Sequence, residues 1–249
     1  GLRAGWVGLA AGIALVGRAF RVLASEYKTI INFQQANANL STILGVNITQ
    51  MNQLRESALD LGRTTEYTAS QVTSLQTELA KLGFTQEQIM NMQKYVLQFA
   101  TAVGTDLASA ASLAGSTLRA FELDSTQTED MLATMAVATN KSALSFSMLQ
   151  TAMSTIAPVA HAYGLSLKDT TALLGTLANS GFDATSAATA TRNILLNLAD
   201  TNGKLAKTLG GSVKTFDDIM NALIKLRDSG VDLNTTLELT DKRSVAAFN

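Results

Sequence analysis

Leu2, Trp6, Leu9, Ile13, Val16, Phe20, Leu23, Tyr27 and Ile30 follow one another at alternating spacings of four and three residues. Such an unbroken 3.5-residue repeat keeps one apolar seam on one side of a helix and gives partner helices a left-handed supercoil. A strand, with its period of two, would scatter these residues over both faces. The first thirty residues therefore read as one helix with a seam to bury.

With Trp6, Ile13, Phe20 and Tyr27 at a, the d positions are Leu2, Leu9, Val16, Leu23 and Ile30. The e and g positions beside them are mostly small: Gly5, Ala10, Gly12, Gly17, Ala19 and Ala24. Charges stand there in an ordinary two-stranded coil. Small flanks and bulky seam residues predict close backbones and three or more copies around a wider core. Two other readings stay open, a buried helix of a monomeric globule and a membrane segment. The uncharged run Gly5 to Gly17, between Arg3 and Arg18, is too short at 13 residues to cross a bilayer alone. The repeat runs to Ile30 with no cleavage-type break, which argues against a signal peptide. A start at Gly1, without Met and inside an apolar run, suggests a piece of something longer.

Beyond the seam the chain is predicted all-α. It is 47% hydrophobic, enough for a sizeable core, with a single Pro and few of the β-branched or aromatic runs that strands draw on. Hydroxyl residues followed three positions later by Gln or an acid mark helix starts at Thr68–Gln71, Thr85–Gln88, Ser166–Asp169 and Thr215–Asp218. Gly62, Gly83, Gly104, Gly164 and Gly181 fall where helix ends would use a left-handed residue. Apolar stripes at helical spacing join Val72, Leu75, Leu79 and Leu82, then Ile89, Met92, Val96 and Phe99, then Met148, Ala152, Ile156, Val159 and Tyr163. These marks predict nine to twelve helices, with breaks near residues 45, 65, 84, 104, 123, 143, 164, 182, 202, 213 and 231. Pro158 predicts a kink or a new start near Ala157. The expected organisation is a long coiled-coil-like helix over 1–44, then a domain of short capped helices over 45–249. Leu79–Phe84 and Leu177–Phe182 share an LAxxGF pattern, so a hairpin over 69–100 could echo one over 167–199.

Chemistry is hard to place on this chain. With no Cys and one His, thiolate catalysis, Cys-ligated zinc and a two-His metal site are excluded. His161 reads as a helix-end histidine in a structural hydrogen bond. Glu129–Asp130 and Asp217–Asp218 are adjacent pairs in first turns, where they complement the helix dipole and do not face each other as glycosidase carboxylates must. Met90, Met92, Met131, Met135, Met148 and Met153 read as core filler. No phosphate loop occurs. The 19 basic and 20 acidic residues leave no basic excess for nucleic acid. No enzyme activity, catalytic residue, metal or cofactor is predicted.

Leu61 to Val72 followed by Glu78 to Phe84, Leu118 to Leu123, Ala157 to Ala160 with Gly164 to Leu167 and Leu173 to Phe182, Ala190 to Leu196 and Lys242 to Phe248 together resemble the core region of phage tail tape measure proteins. Singly these motifs are weak, and their order over roughly residues 26–248 carries the resemblance. Glu122 and Tyr67 depart from it, standing where Gly and Phe are expected. The resemblance implies a helical virion tail protein in the tube lumen, made in the host cytoplasm, that sets tail length and takes part in genome ejection. Implied partners are other copies, three or more, and the tail tube and tip or baseplate proteins. Phage DNA would pass close by without specific binding. A membrane-inserting pore for genome delivery is the alternative, with the host membrane as partner, and a muralytic enzyme a weaker third reading.

Overall fold

The computed structural model describes residues 28–47 and 49–200 and a few positions between 207 and 230. No strand occurs among the described residues. α1 is helical over 28–44. It is followed by α2 (Asn52–Thr64), α3 (Ala69–Lys81), α4 (Gln86–Val103), α5 (Leu107–Ala120), a 3-10 turn (Ser125–Gln127), α6 (Thr128–Lys141), α7 (Phe146–Ala162), α8 (Leu167–Asn179) and α9 (Ala184–Ala199). The predicted breaks near 202, 213 and 231 lie outside the described residues.

One joint recurs along the chain. Gly45, Gly83, Gly104, Glu122, Gly164 and Gly181 all have positive φ. The backbone N–H of the residue after each donates to the carbonyl five positions back, as Phe84 does to Leu79 and Phe182 to Leu177. That bond satisfies a carbonyl the helix end would leave free. The next residue is Asn47, Thr85, Asp106, Asp124, Ser166 or Asp183, and its side chain accepts a backbone N–H two or three positions on. Each end and each start is thus satisfied within a few residues. A second joint follows α2 and α6, where the Thr65 and Ser142 hydroxyls donate to the carbonyls of Leu61 and Ala138. The same hydroxyls accept from the N–H groups of Tyr67 and Leu144.

Two expectations change, and one of two alternatives at Pro158 drops out. Gly62 lies inside α2 and is not left-handed; a Cβ there would come 2.7 Å from the backbone nitrogen of Ala69, so Gly62 serves close approach. α7 continues through Pro158 with no new start near Ala157. Pro158 and Ser154, whose carbonyl the ring leaves without its helical donor, both lie on the exposed side of α7. The buried face of α7 is Leu149, Ala152, Met153, Ile156, Ala157 and Ala160, while Met148, Val159 and Tyr163 lie at its margins. That face is set by neighbours on several sides.

The chain divides into two compact units, 1–90 and 91–249. In the first, α2 packs on α3 around Leu54, Ala58, Val72, Leu75 and Leu79. The buried Gln76 amide donates to the Leu54 carbonyl at 2.9 Å, tying the two helices together. In the second, α7 is central and packs on α5, α8 and α9, while α6 lies along α8. Phe99 and Phe146 meet at 6.1 Å, an aromatic contact at the start of α7.

Candidate functional site: two helix-lined surfaces

Of the predicted seam, Leu2, Trp6, Leu9, Ile13, Val16, Phe20, Leu23 and Tyr27 lie outside the described residues. Ile30 lies in the first turn of the described part of α1 and is 54% exposed, with Ile31 beside it at 45%. The described fold leaves both uncovered. Between α1 and α2 runs a groove of about 470 Å³ lined by Ile31, Phe33, Gln34, Asn37, Met51 and Arg55, among others.

A second, larger furrow of about 640 Å³ lies between α6 and α8. Small residues floor it, including Ala133, Ala138, Ala172 and Gly175, with Lys141 and Lys168 also lining it. Val137 stands in it at 58% exposure, the most open of the large apolar side chains among the described residues. Its two walls are pinned at their C-terminal ends. Asn179 Oδ1 accepts from the Ala143 N–H at 2.7 Å, and a Cβ on Gly175 would meet Ser142 Oγ at 3.1 Å.

The residues weighed for chemistry take structural places. His161 lies in the last turn of α7, half-buried, with Nε2 3.7 Å from a Glu122 carboxylate oxygen and its ring edge-on to Phe121 at 6.0 Å. Glu129 and Asp130 occupy the first turn of α6. A hydrogen bond to Glu129 raises the Tyr95 hydroxyl above the usual tyrosine range. Asp217 and Asp218 are helical and exposed. Met92, Met131, Met135 and Met153 are buried in the core, with Met90 and Met148 at its edge. Among the described residues no three His, Cys, Asp or Glu side chains cluster as metal ligands. Also among them, no helix is long and apolar enough to cross a membrane.

Three aspartates that cap helix starts are held by the groups they cap. Asp106 is held below the usual aspartate range by Ser109, Asp124 by Thr126 and Asp183 by Ser186. In each case the side-chain hydroxyl is the larger influence and the backbone N–H adds to it. The caps at Asp106 and Asp183 were legible in principle, since each stands two residues after a left-handed glycine, while Asp124 follows Glu122, where no glycine marks the joint.

Residues 55–247 match the family described as phage-related minor tail protein. The chain belongs to this family. It is 31% identical over 215 residues to the tape measure protein of Pneumococcus phage Dp-1, covering 85% of this chain and 18% of the relative. It is 29% identical over 216 residues to the probable tape measure protein of Escherichia phage P2, covering 85% of this chain and 26% of the relative. The chain thus spans about a fifth to a quarter of the length of these curated relatives. No solved structure matches it. The family span takes in α2 to α9 and both kinds of joint, while the seam precedes it.

Proposed function

We propose that this minor tail family chain is the compact helical portion, with one end of the extended bundle, of a tape measure protein. Its likeness to two tape measure relatives over 85% of its length carries the reading. Copies associate through Leu2 to Ile30 in bundles of three or more, occupy the tail tube lumen and set tail length. They contact tail tube and tip or baseplate proteins and leave before or with the DNA. A helix rises about 1.5 Å per residue, so the length of a helical protein can act as a ruler. A near-neutral chain lets DNA share the tube without holding it. The role asks for no catalysis: the protein is structural, with Asp106, Asp124 and Asp183 engaged as helix caps and His161 at a helix end.

Inserting about 28 helical residues, four heptads, into the parent protein ahead of residue 28 tests this. Tails measured by electron microscopy should lengthen by about 42 Å. Normal tail length with the insertion stably incorporated would contradict the ruler.

A further inference from the structure

We infer that residues 45–198 are two tandem copies of one four-helix unit with a 77-residue period, a shared core that carries two different outer faces. The copies are α2–α5 and α6–α9, and they stand independently of the tape measure reading. The joints set the period. Gly45 and Glu122, Thr65 and Ser142, and Gly104 and Gly181 are each 77 residues apart, and each pair closes its helix ends with the same bonds. The cap residues that follow, Asn47 and Asp124, Thr68 and Ser145, and Asp106 and Asp183, keep that interval. Gln50 and Gln127 each accept the N–H of their cap residue at 2.9 Å. The pattern Gly-x-Asp-x-x-Ser-Ala-Ala stands at 104–111 and again at 181–188.

Burial keeps the same interval. Val72, Leu75, Gln76, Leu79 and Ala80 of α3 are buried, and so are Leu149, Ala152, Met153, Ile156 and Ala157 of α7. Ala110, Ala111, Leu113, Ala114 and Leu118 of α5 answer to the buried Ala187, Ala188, Ala190, Thr191 and Leu195 of α9. One offset interrupts the period and then cancels. α7 has 17 residues where α3 has 13, and the stretch from Gly164 to Gly181 is shorter than that from Gly83 to Gly104 by the same amount. A change of about one helical turn leaves the apolar stripes in phase. The LAxxGF echo sets Gly83 against Gly181, whereas the order of joints sets Gly83 against Gly164. Capping chemistry alone would repeat joints at irregular intervals; a constant interval with matched burial is the mark of a duplicated unit. Exposed positions diverge: α2 presents Glu56 and Asp60 where α6 presents Ala133 and Val137, so the apolar wall of the furrow belongs to the second copy.

The test deletes one period from the full chain and follows helicity and denaturant unfolding. Removing residues 74–150 joins Thr73 to Thr151 in phase and leaves one hybrid copy. Removing residues 74–148, two fewer, turns the buried face of α7 by about 200° around the helix axis. The first deletion should keep the helicity per residue and a cooperative transition, and the second should lose both. Deletions that behave alike and fold, or a second that folds where the first does not, overturn the inference. If both fail, removal of residues 106–182 decides, because it joins Thr105 to Asp183 and restores the Gly-x-Asp joint. Its cooperative folding supports the duplication, and its failure overturns it.

Discussion

Glu122 holds φ at +52°, a conformation that costs an L-residue about 1–2 kcal/mol and glycine very little. It ends α5 with the same hydrogen bond that glycine closes elsewhere, Leu123 N–H to the Leu118 carbonyl. Its side chain is 81% exposed, so its contact with His161 offsets little of that cost. Glu122→Gly should raise stability by about 0.5–1 kcal/mol in denaturant unfolding, the relieved strain outweighing the added freedom of the unfolded chain. A loss of stability would mean the His161 contact matters more. Gly62 works the other way: Gly62→Ala should cost about 1–3 kcal/mol because the Ala69 backbone has to move, despite the better helix propensity of Ala. The capping aspartates give a pH signature. Their folded values are lowered, so their contribution is present above the ordinary aspartate range and is lost as pH falls through the lowered values. Carboxyl NMR titration of Asp106, Asp124 and Asp183 should give midpoints below that range, and Asp124→Asn should remove part of the acid sensitivity of unfolding.

Helices and joints were legible where the chemistry is local. The reciprocal cap of Thr68 and Gln71 and the same pairing of Thr85 with Gln88 follow from residue spacing alone. The joint at Glu122 gives no such signal, because the conformation is there without the glycine that announces it. Gly62 misled because close approach and left-handed turns select the same residue. Which stripe meets which was out of reach. Met148, Val159 and Tyr163 have the spacing of a buried face, but the packing of α5, α8 and α9 around α7 decides which residues are enclosed. Buried Thr73, Gln76, Thr170 and Thr171 were also invisible, since their polarity is hidden by bonds to backbone carbonyls. Because α7 is the hub of its unit, Ile156→Ala, at a fully buried position, should cost about 2–5 kcal/mol in thermal or denaturant unfolding. A cost below about 1 kcal/mol would place the hub elsewhere.

The whole molecule combines two kinds of surface. Most of the described helices bury their apolar faces within compact units, but α1 presents Ile30 and Ile31, and the α6–α8 furrow presents Val137. The all-α class and the tail-protein family were readable from composition and from the order of weak motifs. Function was readable only as a resemblance, because the residue types and spacings of this chain offer no catalytic constellation to read. The proposed tail role turns most on the nine-residue seam from Leu2 to Ile30 being an interface between copies. The direct test is the absolute mass of the purified chain in solution, with and without the Ile13→Asp and Phe20→Asp substitutions, in the absence of lipid. A discrete assembly of three or more copies that the substitutions reduce to monomer is the predicted result. A wild-type monomer that inserts into liposomes through its first thirty residues would contradict it and make the seam a membrane segment.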